Sequence, residues 1–367
     1  MAIVILHYKP IEFYPTTMAL LEKLKSNNQS IYLFSSSKPA TAGLDQIQFT
    51  KIRKSRNGIL GKLATALQLF LLNVKIRNLI SGQSSIHSIL YFEALSYNLL
   101  HLSKNLIPKR GIKLCAHFYE YFNTSEIKRQ SRMEYFGYNN PKHAYEQFSW
   151  ISHSTELRRS RFIQDFKLNR TSQIYTIHNF PPLSWRSTER IENNIQGNNK
   201  LKLVYLGALS IESTFILELL DFCSKFKEQV TLDVYSWRMP EDLNEHMRSL
   251  TGNVKQMGSI NHSAVRDTLN QYDIGIIMYK PLSDNVTTSL PNKLFEYWAC
   301  NLNVWIHEEL HYCREFVERY PHNGIKFMDF SSIATLNEVP HVERTSEMPE
   351  EFISELELEE ICTFLTS

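Results

Sequence analysis

A lysine and a glutamate three positions apart, Lys293 and Glu296, mark the part of the chain whose residue types best suggest chemistry. Lys293 falls in the first turn of a predicted helix, where its charge adds to the positive end of the helix dipole. Asn292 precedes Glu296 by four positions, so both share one helix face. A cation beside free amides suits phosphate, and a carboxylate one turn later suits ribose hydroxyls. The pattern therefore predicts a site for a nucleoside diphosphate.

A buried strand, a polar loop and a helix must position these side chains. The apolar, β-branched run at residues 274–278 has the length of a parallel core strand. Pro291 fits the first turn of the helix because it needs no donor there, and Ser289 is expected to cap the free amides. This order directs the helix N-terminus to the carboxyl edge of a sheet, where anions bind in open α/β folds. The same order also occurs as ordinary α/β construction without a ligand.

The composition is that of a globular protein with two domains. The 367 residues are 43% hydrophobic and 21% charged, which is enough for two separate cores. The net charge of +2 does not indicate a nucleic-acid partner. The five cysteines are scattered without metal-type spacing, which favours a reducing cytoplasm and predicts no metal site. No stretch is expected to provide the ~20 apolar residues needed to cross a bilayer.

Strand and helix patterns alternate along both halves of the chain, which predicts an α/β fold with mostly parallel sheets. The first domain is expected at residues 1–180, followed by an asparagine-rich linker at residues 181–200. The second domain is expected at residues 201–345. An acidic final helix, started by Pro349, is expected within residues 346–367.

Four runs in the second half carry a resemblance to a known family. They lie at residues 203–209, 258–260, 272–276 and 290–297. In order and spacing they resemble the C-terminal domain of retaining GT-B glycosyltransferases of the family-4 type, also called glycosyl transferases group 1. The resemblance implies a GT-B fold, in which two Rossmann-like domains face a cleft. It also implies that the final helix crosses back to the N-terminal domain.

The resemblance implies a donor site for a nucleoside-diphosphate sugar, with no metal and no cofactor. Lys293 and the amides after Ser289 would hold the diphosphate, and Glu296 would bind the ribose. Gly207 allows the backbone to approach a ligand closely, and Arg238 is the candidate for a second cation. The base would lie against the loop at residues 258–260. The predicted nucleotide-sugar-binding residues are Gly207, Arg238, Gly258, Ser259, Ile260, Ser289, Asn292, Lys293 and Glu296.

One position departs from the family pattern. Many members carry two glutamates eight positions apart, and the residue eight positions before Glu296 is Thr288. The earlier glutamate usually lies near the donor sugar or acts in catalysis, so its absence weakens the catalytic assignment and not the nucleotide site. The first loop also lacks the family's glycine pair, and there Thr16 or Thr17 is expected to cap the next helix.

The candidate catalytic residues lie in the first domain, at His117 and Glu120, directly after a predicted strand. Family members often carry a histidine or an acid here, near the donor sugar. A histidine can bind a sugar hydroxyl or move a proton near pH 7. The alternative is that both residues fix the edge of an aromatic core.

Residues 51–80 contain seven basic residues and no acid. Apolar residues from Leu60 to Val74 follow helical spacing. This segment suits either a surface that meets anionic lipid and a lipid-linked acceptor, or a core helix with a solvated basic flank.

These observations favour a glycosyltransferase that moves a sugar from a nucleoside-diphosphate sugar to a hydroxyl of a saccharide or lipid-linked acceptor, in cell-surface polysaccharide biosynthesis. We expect it in the cytoplasm, peripheral at the inner membrane face, with no nucleic-acid partner. One alternative is a non-catalytic GT-B homologue that acts as a binding or partner subunit. A sugar-nucleotide epimerase of the same fold ranks lower, because its additional catalytic acids and histidines are not evident.

Overall fold

The computed structural model describes residues 1–39, 44, 47–53, 58–139, 141–186, 200–250, 252–320, 324–341 and 348–367, with only the backbone of Ser263. The strands in these ranges are β1 (Ala2–His7), β2 (Ser30–Ser35), β3 (Gln48–Lys51), β4 (Ile86–Phe92), β5 (Lys113–Phe118), β6 (Trp150–His153), β7 (Ile174–Thr176), β8 (Leu201–Leu206), β9 (Val230–Tyr235), β10 (Val254–Gly258), β11 (Ile274–Ile277), β12 (Asn303–His307) and β13 (Ile325–Met328). The α-helices are α1 (Pro15–Ser26), α2 (Ile59–Gly82), α3 (Glu93–Tyr97), α4 (Leu106–Lys109), α5 (Thr124–Ile127), α6 (Arg132–Asn139), α7 (Glu156–Phe166), α8 (Ile216–Lys225), α9 (Glu241–Ser249), α10 (His262–Leu269), α11 (Asp284–Thr287), α12 (Asn292–Ala299), α13 (His311–Val317), α14 (Ser354–Glu357) and α15 (Glu359–Thr366).

The chain forms two compact units. Unit 1 contains Met1–His178 together with Ser354–Ser367, and unit 2 contains Asn179–Ile353. Each unit has its own parallel sheet with helices, so the predicted α/β class is confirmed. Of the segment predicted as a linker, residues 187–199 lie outside the described part of the chain, and Leu183–Trp185 forms a 3₁₀ turn in unit 2.

The sheet of unit 1 has the strand order β3-β2-β1-β4-β5-β6-β7. Strand β1 is buried along its whole length, as expected for a parallel strand with helices on both faces. Its last residue, His7, pairs with Phe92, which pairs with His117, which in turn pairs with Ser152. This register places the ends of four neighbouring strands side by side. Residues that follow these strands therefore meet at one edge of the sheet.

The last fourteen residues fold as part of unit 1. Leu358, the N-cap residue of α15, and Ile361 and Leu365 of α15 belong to a core cluster that also contains residues of β1, β2 and α1. The predicted start of the final helix at Pro349 is wrong, since α14 begins at Ser354. The residues between them belong to unit 2, where Phe352 stacks on Phe180.

The sheet of unit 2 has the order β10-β9-β8-β11-β12-β13. This is the strand order of a Rossmann domain, and the chain changes direction across the sheet between β8 and β11. Apolar side chains of α8, β8, β9 and β11 build its core on one face. In such a sheet, ligands bind outside the carboxyl ends of the strands at the switch point.

Helix α2 is unusually apolar. By length and composition alone, it is the one helix in the described part of the chain that is long and apolar enough to cross a membrane. The prediction that no stretch has this property is therefore wrong. Lys62, Lys75 and Arg77 interrupt the apolar run, but these three charges do not make the helix polar. A core helix passes the same test, so the surroundings of α2 must decide its role.

Candidate functional site

Helix α12 presents uncapped amides at the carboxyl edge of the sheet in unit 2. The helix begins at Asn292, and Pro291 is its N-cap residue with φ −61° and ψ 137°. No side chain caps it. The predicted cap is wrong, because the Ser289 hydroxyl donates to the carbonyl oxygen of Val286 at 2.7 Å. Within the described residues, the N-cap position therefore supplies no side-chain acceptor to the first amides of α12, which suits an anion.

Contacts of Tyr297 fix α12 on the sheet. The backbone N–H of Leu206, at the end of β8, donates to the Tyr297 hydroxyl oxygen at 3.1 Å. The Tyr297 ring lies on Gly275 of β11, where an added Cβ would come within 2.3 Å of the ring. Since Gly275 has no side chain, the helix can approach the sheet closely. These two contacts place the first turn of α12 beside the switch point.

Lys293 and Glu296 form an ion pair one turn into α12. The Glu296 side chain is only 4% exposed, while that of Lys293 is 23% exposed. A carboxylate this deeply buried needs a partner, and the ammonium group of Lys293 provides it. Asn292 lies on the same helix face and is half-buried. The structure therefore brings together the three residues of α12 that the sequence predicted.

A histidine that the sequence analysis missed completes this group. His262 Nε2 lies 4.0 Å from Glu296 Oε1, and the ring packs against Trp185 with centroids 4.9 Å apart. Burial lowers the pKa of His262, and Lys293 adds to this effect while Glu296 opposes it. The signal for His262 was its position directly after the loop already assigned to the base.

The remaining predicted residues of unit 2 lie in loops at the same edge. Gly207 follows β8 and has φ 151°, a conformation that favours glycine. The backbone N–H of Leu209 donates to the carbonyl oxygen of Arg238 at 2.9 Å, which joins the loops after β8 and β9. The Arg238 side chain is exposed.

The loop after β10 joins this arrangement through Gly258, the last residue of that strand. The backbone N–H of Ser236 donates to the carbonyl oxygen of Gly258 at 2.8 Å. Gly258 has φ 76°, and a Cβ there would meet no atom within 4 Å. Ser259 is exposed and Ile260 is half-buried. With glycine at position 258, the loop can offer its backbone groups to a ligand.

Thr288, at the position of the family's earlier glutamate, is buried. Its hydroxyl donates to the carbonyl oxygen of Asp284 at 2.6 Å, which closes the short helix α11. The residue as a whole is only 1% exposed. This position therefore provides no carboxylate and serves the local backbone.

In unit 1, the predicted catalytic residue His117 is buried inside an aromatic cluster. Its Nδ1 lies 2.9 Å from the Ser152 hydroxyl, and its ring lies edge-on to Phe92 and Tyr119. Burial lowers the pKa of His117 to about 3, and nearby His7 adds to the effect. The imidazole is therefore neutral at pH 7. It can hold a hydrogen bond, but it does not exchange a proton at that pH.

Glu93 is the residue of unit 1 that the sequence analysis missed. It follows β4 with φ 62°, a left-handed conformation uncommon outside glycine. One Glu93 carboxylate oxygen accepts from the backbone N–H groups of Tyr119 at 2.7 Å and Glu120 at 3.2 Å. The half-buried residue Glu120, predicted as catalytic, is thus held beside a second carboxylate.

The charges around Glu93 are coupled. Burial and the neighbouring Glu120 raise the pKa of Glu93 to about 7, although Lys9 opposes the shift. Burial alone would lower the pKa of Lys9, but Glu120 and Glu93 raise it overall. The carboxyl edge of unit 1 therefore carries one lysine that interacts electrostatically with two acids, and the pKa of one of these acids, Glu93, is raised toward neutral. Such a group can accept hydrogen bonds from hydroxyls and exchange a proton.

The chemistry available differs between the units. Unit 2 offers helix amides, an ammonium group and a carboxylate, a set that suits a diphosphate attached to a ribose. Unit 1 offers carboxylates, a lysine and neutral histidines. Among the described residues, no group of three or more histidine, cysteine or acidic side chains could hold a metal ion. Metal-independent action stays a prediction.

Comparisons with known proteins agree with the fold. No protein-family model and no curated protein matches the sequence. A solved glycosyltransferase from Rickettsia africae ESF-5 has a TM-score of 0.62 at 12% identity, covering 100% of this chain and 89% of that one. HepE from Anabaena, solved with UDP, has a TM-score of 0.61 at 12% identity, covering 100% of both chains.

A third solved structure is similar over the same length. WaaG, a glycosyltransferase involved in lipopolysaccharide biosynthesis, has a TM-score of 0.59 at 11% identity, covering 100% of this chain and 91% of its own. Identities this low establish the fold alone. The resemblance seen in the sequence is confirmed at that level: the chain has the GT-B fold of glycosyltransferases, with two Rossmann-like domains.

Proposed function

We propose that this protein is a glycosyltransferase that takes its sugar from a nucleoside-diphosphate donor bound by unit 2. The observation that carries the proposal is the Lys293–Glu296 pair at the uncapped start of α12. On donor binding, the ammonium group of Lys293 would also contact the diphosphate, and Glu296 would accept hydrogen bonds from the ribose hydroxyls. His262 would border the base and the ribose. A neutral imidazole suits that place, because it can donate to a hydroxyl without opposing Lys293.

The acceptor is proposed as a saccharide or lipid-linked saccharide of the cell surface, with the enzyme at the cytoplasmic face of a membrane. Similar folds support this choice, since WaaG acts in lipopolysaccharide biosynthesis and WaaB is a lipopolysaccharide outer core galactosyltransferase. Transfer would proceed without a metal, with the helix amides and Lys293 stabilising the leaving diphosphate. HepE was solved with UDP-glucose, so UDP is the first nucleotide to test.

Binding of nucleotides tests the donor site. We expect calorimetry with UDP, GDP, CDP and ADP to show one preferred diphosphate, with the same affinity with and without magnesium. Glu296→Gln keeps the side-chain volume and removes the charge that accepts the ribose hydroxyls. It should weaken binding of the preferred nucleotide by about 1–3 kcal/mol.

A matched control lies elsewhere in unit 2. Lys200 and Glu228 form an exposed ion pair with a separation of 3.6 Å, so Glu228→Gln removes a paired carboxylate without touching α12. Its nucleotide affinity should equal that of the unchanged protein. Equal losses in both variants, or no loss in Glu296→Gln, would remove Glu296 from the site.

A second candidate function is a non-catalytic GT-B homologue that binds a nucleotide sugar or a partner. The buried Thr288 hydroxyl, bonded to the backbone where many relatives carry a carboxylate, favours it. Turnover of the donor separates the two functions. Release of the diphosphate from the matching nucleotide sugar, increased by an acceptor, supports the transferase, whereas tight binding without release supports the homologue.

A further inference from the structure

Helix α2 has two apolar faces, of which only one is packed. Its second half enters the core of unit 1 through Leu72, Ile76 and Ile80, which are each at most 6% exposed. Asn73 is also buried there, and its amide donates to the carbonyl oxygens of Leu69 and Asn98, each at 2.9 Å. The core-facing side of the helix is therefore fixed by both packing and hydrogen bonds.

The opposite face of α2 is apolar and exposed. Six large side chains on it are between 56% and 82% exposed: Ile59, Leu60, Leu63, Leu67, Phe70 and Leu71. Since successive helical residues turn by about 100°, these six fall within an arc of about 120°. They form a continuous stripe of about 20 Å, given a rise of 1.5 Å for each residue. A stripe of this kind on a folded protein marks a surface that is covered by a partner or a membrane.

The charges around the stripe are of one sign. No Asp or Glu occurs between Asp45 and Glu93, whereas this interval contains seven Lys and Arg residues. Of these, Lys54 and Arg56 lie outside the described residues, while Lys51, Lys62 and Arg77 are exposed. An apolar stripe flanked by cations is complementary to a bilayer with anionic headgroups. The stripe is not complementary to the same stripe on a second copy of the chain, because the basic residues around both stripes would repel each other.

We propose that α2 is a membrane-docking helix that lies in the plane of an anionic bilayer surface, with the six-residue stripe inserted among the acyl chains. The helix does not span the bilayer, because that would pull Leu72, Asn73 and Ile76 out of the core of unit 1. The inference rests on the proposed function for its biological purpose, since docking brings the enzyme to a lipid-linked acceptor. The docking itself requires no catalysis.

Vesicle flotation tests the docking directly. The full-length protein is mixed with vesicles of phosphatidylcholine alone or with about one third phosphatidylglycerol, and the bound fraction is measured. Binding should require the anionic lipid and fall as salt rises, because salt screens the basic residues. No flotation with either vesicle would overturn the proposal.

Two variants assign the binding to α2. The triple variant Leu60→Glu, Leu63→Glu, Leu67→Glu changes only exposed side chains and should reduce vesicle affinity more than about 100-fold. Removing three cations, as Lys62→Gln, Lys75→Gln, Arg77→Gln, should reduce it on the order of 100-fold, at about fivefold for each charge. The control Leu356→Glu places a charge on another exposed leucine of unit 1, 57% exposed, and should change nothing.

The remaining outcomes distinguish the alternatives. Equal vesicle binding by the triple leucine variant would overturn the assignment to α2. A concentration-dependent dimer in sedimentation velocity, abolished by that variant and accompanied by no vesicle binding, would show that a second copy covers the stripe. Nucleotide affinity in solution is measured for each variant. If the protein binds the nucleotide but not the vesicles, the docking proposal fails and the proposed function stands. If the protein binds the vesicles but no nucleotide, only the proposed function fails.

Discussion

At the residue scale, the least expected group is Glu93, a buried carboxyl in a left-handed conformation. An acidic residue with φ 62° is strained, and structures retain such strain where contacts compensate for it. The compensation here is the pair of amides from Tyr119 and Glu120 that bind one carboxylate oxygen. Glu93 thereby holds the backbone of Glu120, and both acids interact electrostatically with Lys9. In the sequence, Glu93 is a single acidic residue after a predicted strand, and such a residue does not indicate that it positions another acid.

Glu93 should make unit 1 less stable as pH rises. Its folded-state pKa, raised to about 7, lies above the unfolded value of 4.5, so its ionisation costs stability between those two pH values. Glu93→Gln removes this cost. The free energy of unfolding of Glu93→Gln, measured relative to that of the unchanged protein, should therefore increase by about 1–3 kcal/mol as the pH rises from 4.5 to 7.5.

Urea unfolding followed by circular dichroism at several pH values measures that gain. The exposed Glu360, on α15 of the same unit, provides the control Glu360→Gln, which should leave the pH dependence unchanged. A constant difference between Glu93→Gln and the unchanged protein across this pH range would show that Glu93 does not titrate there.

At the element scale, the donor site depends on how closely α12 approaches β11. The sequence identified both elements, but the strict requirement for glycine at position 275 comes from the Tyr297 ring above it. Tyr297 also accepts the backbone N–H of Leu206, so one side chain ties the helix to two strands. The same contact holds α12, the helix that carries Lys293, against the sheet.

Gly275→Ala should therefore weaken both the fold of unit 2 and the nucleotide site. An added Cβ 2.3 Å from the Tyr297 ring must displace it, at a cost of about 1–3 kcal/mol in free energy of unfolding. Calorimetry should show weaker binding of the preferred nucleotide as α12 moves. Gly82→Ala is the control, since a Cβ there meets no atom within 4 Å. Full affinity and stability in Gly275→Ala would mean that Tyr297 does not position the site.

At the scale of the whole molecule, the two ends of the chain share one unit. The last helix, α15, buries Leu365 completely, and the carbonyl oxygen of Leu365 accepts from the Ser88 hydroxyl at 3.2 Å. Lys113 donates to the carbonyl oxygen of Phe364 at 2.9 Å. Unit 1 is thus closed by residues that follow all of unit 2 in the sequence.

Truncating Leu365 tests how much that closure contributes. Leu365→Ala should lower the free energy of unfolding of unit 1 by about 2–5 kcal/mol, because it leaves a cavity in a core cluster. Leu356→Ala, at an exposed leucine of α14, should change it by less than about 0.5 kcal/mol. Urea unfolding read by hydrogen exchange resolves the two units. If the exchange rates of β1 and β2 do not change in Leu365→Ala, α15 is not part of the cooperative core of unit 1.

The sequence by itself determined the features that depend on local pattern. Buried strands such as β1 and β11 are continuous apolar runs, and the pairing of Lys293 with Glu296 follows from their spacing on one helix. The order of the four family-like runs was enough to predict the fold that the solved structures share. These features need only neighbours in the chain.

Only the tertiary structure decided features that depend on residues far apart in sequence. The pKa of His117 is lowered because an aromatic cluster, which includes Phe92 of the neighbouring strand β4, buries the ring. His262 and Glu93 gained their roles from partners at least 26 positions away. The helical spacing of α2 suited a packed core as well as a surface, and folding left its stripe exposed. Burial and cross-chain contact set these properties, and no local pattern encodes them.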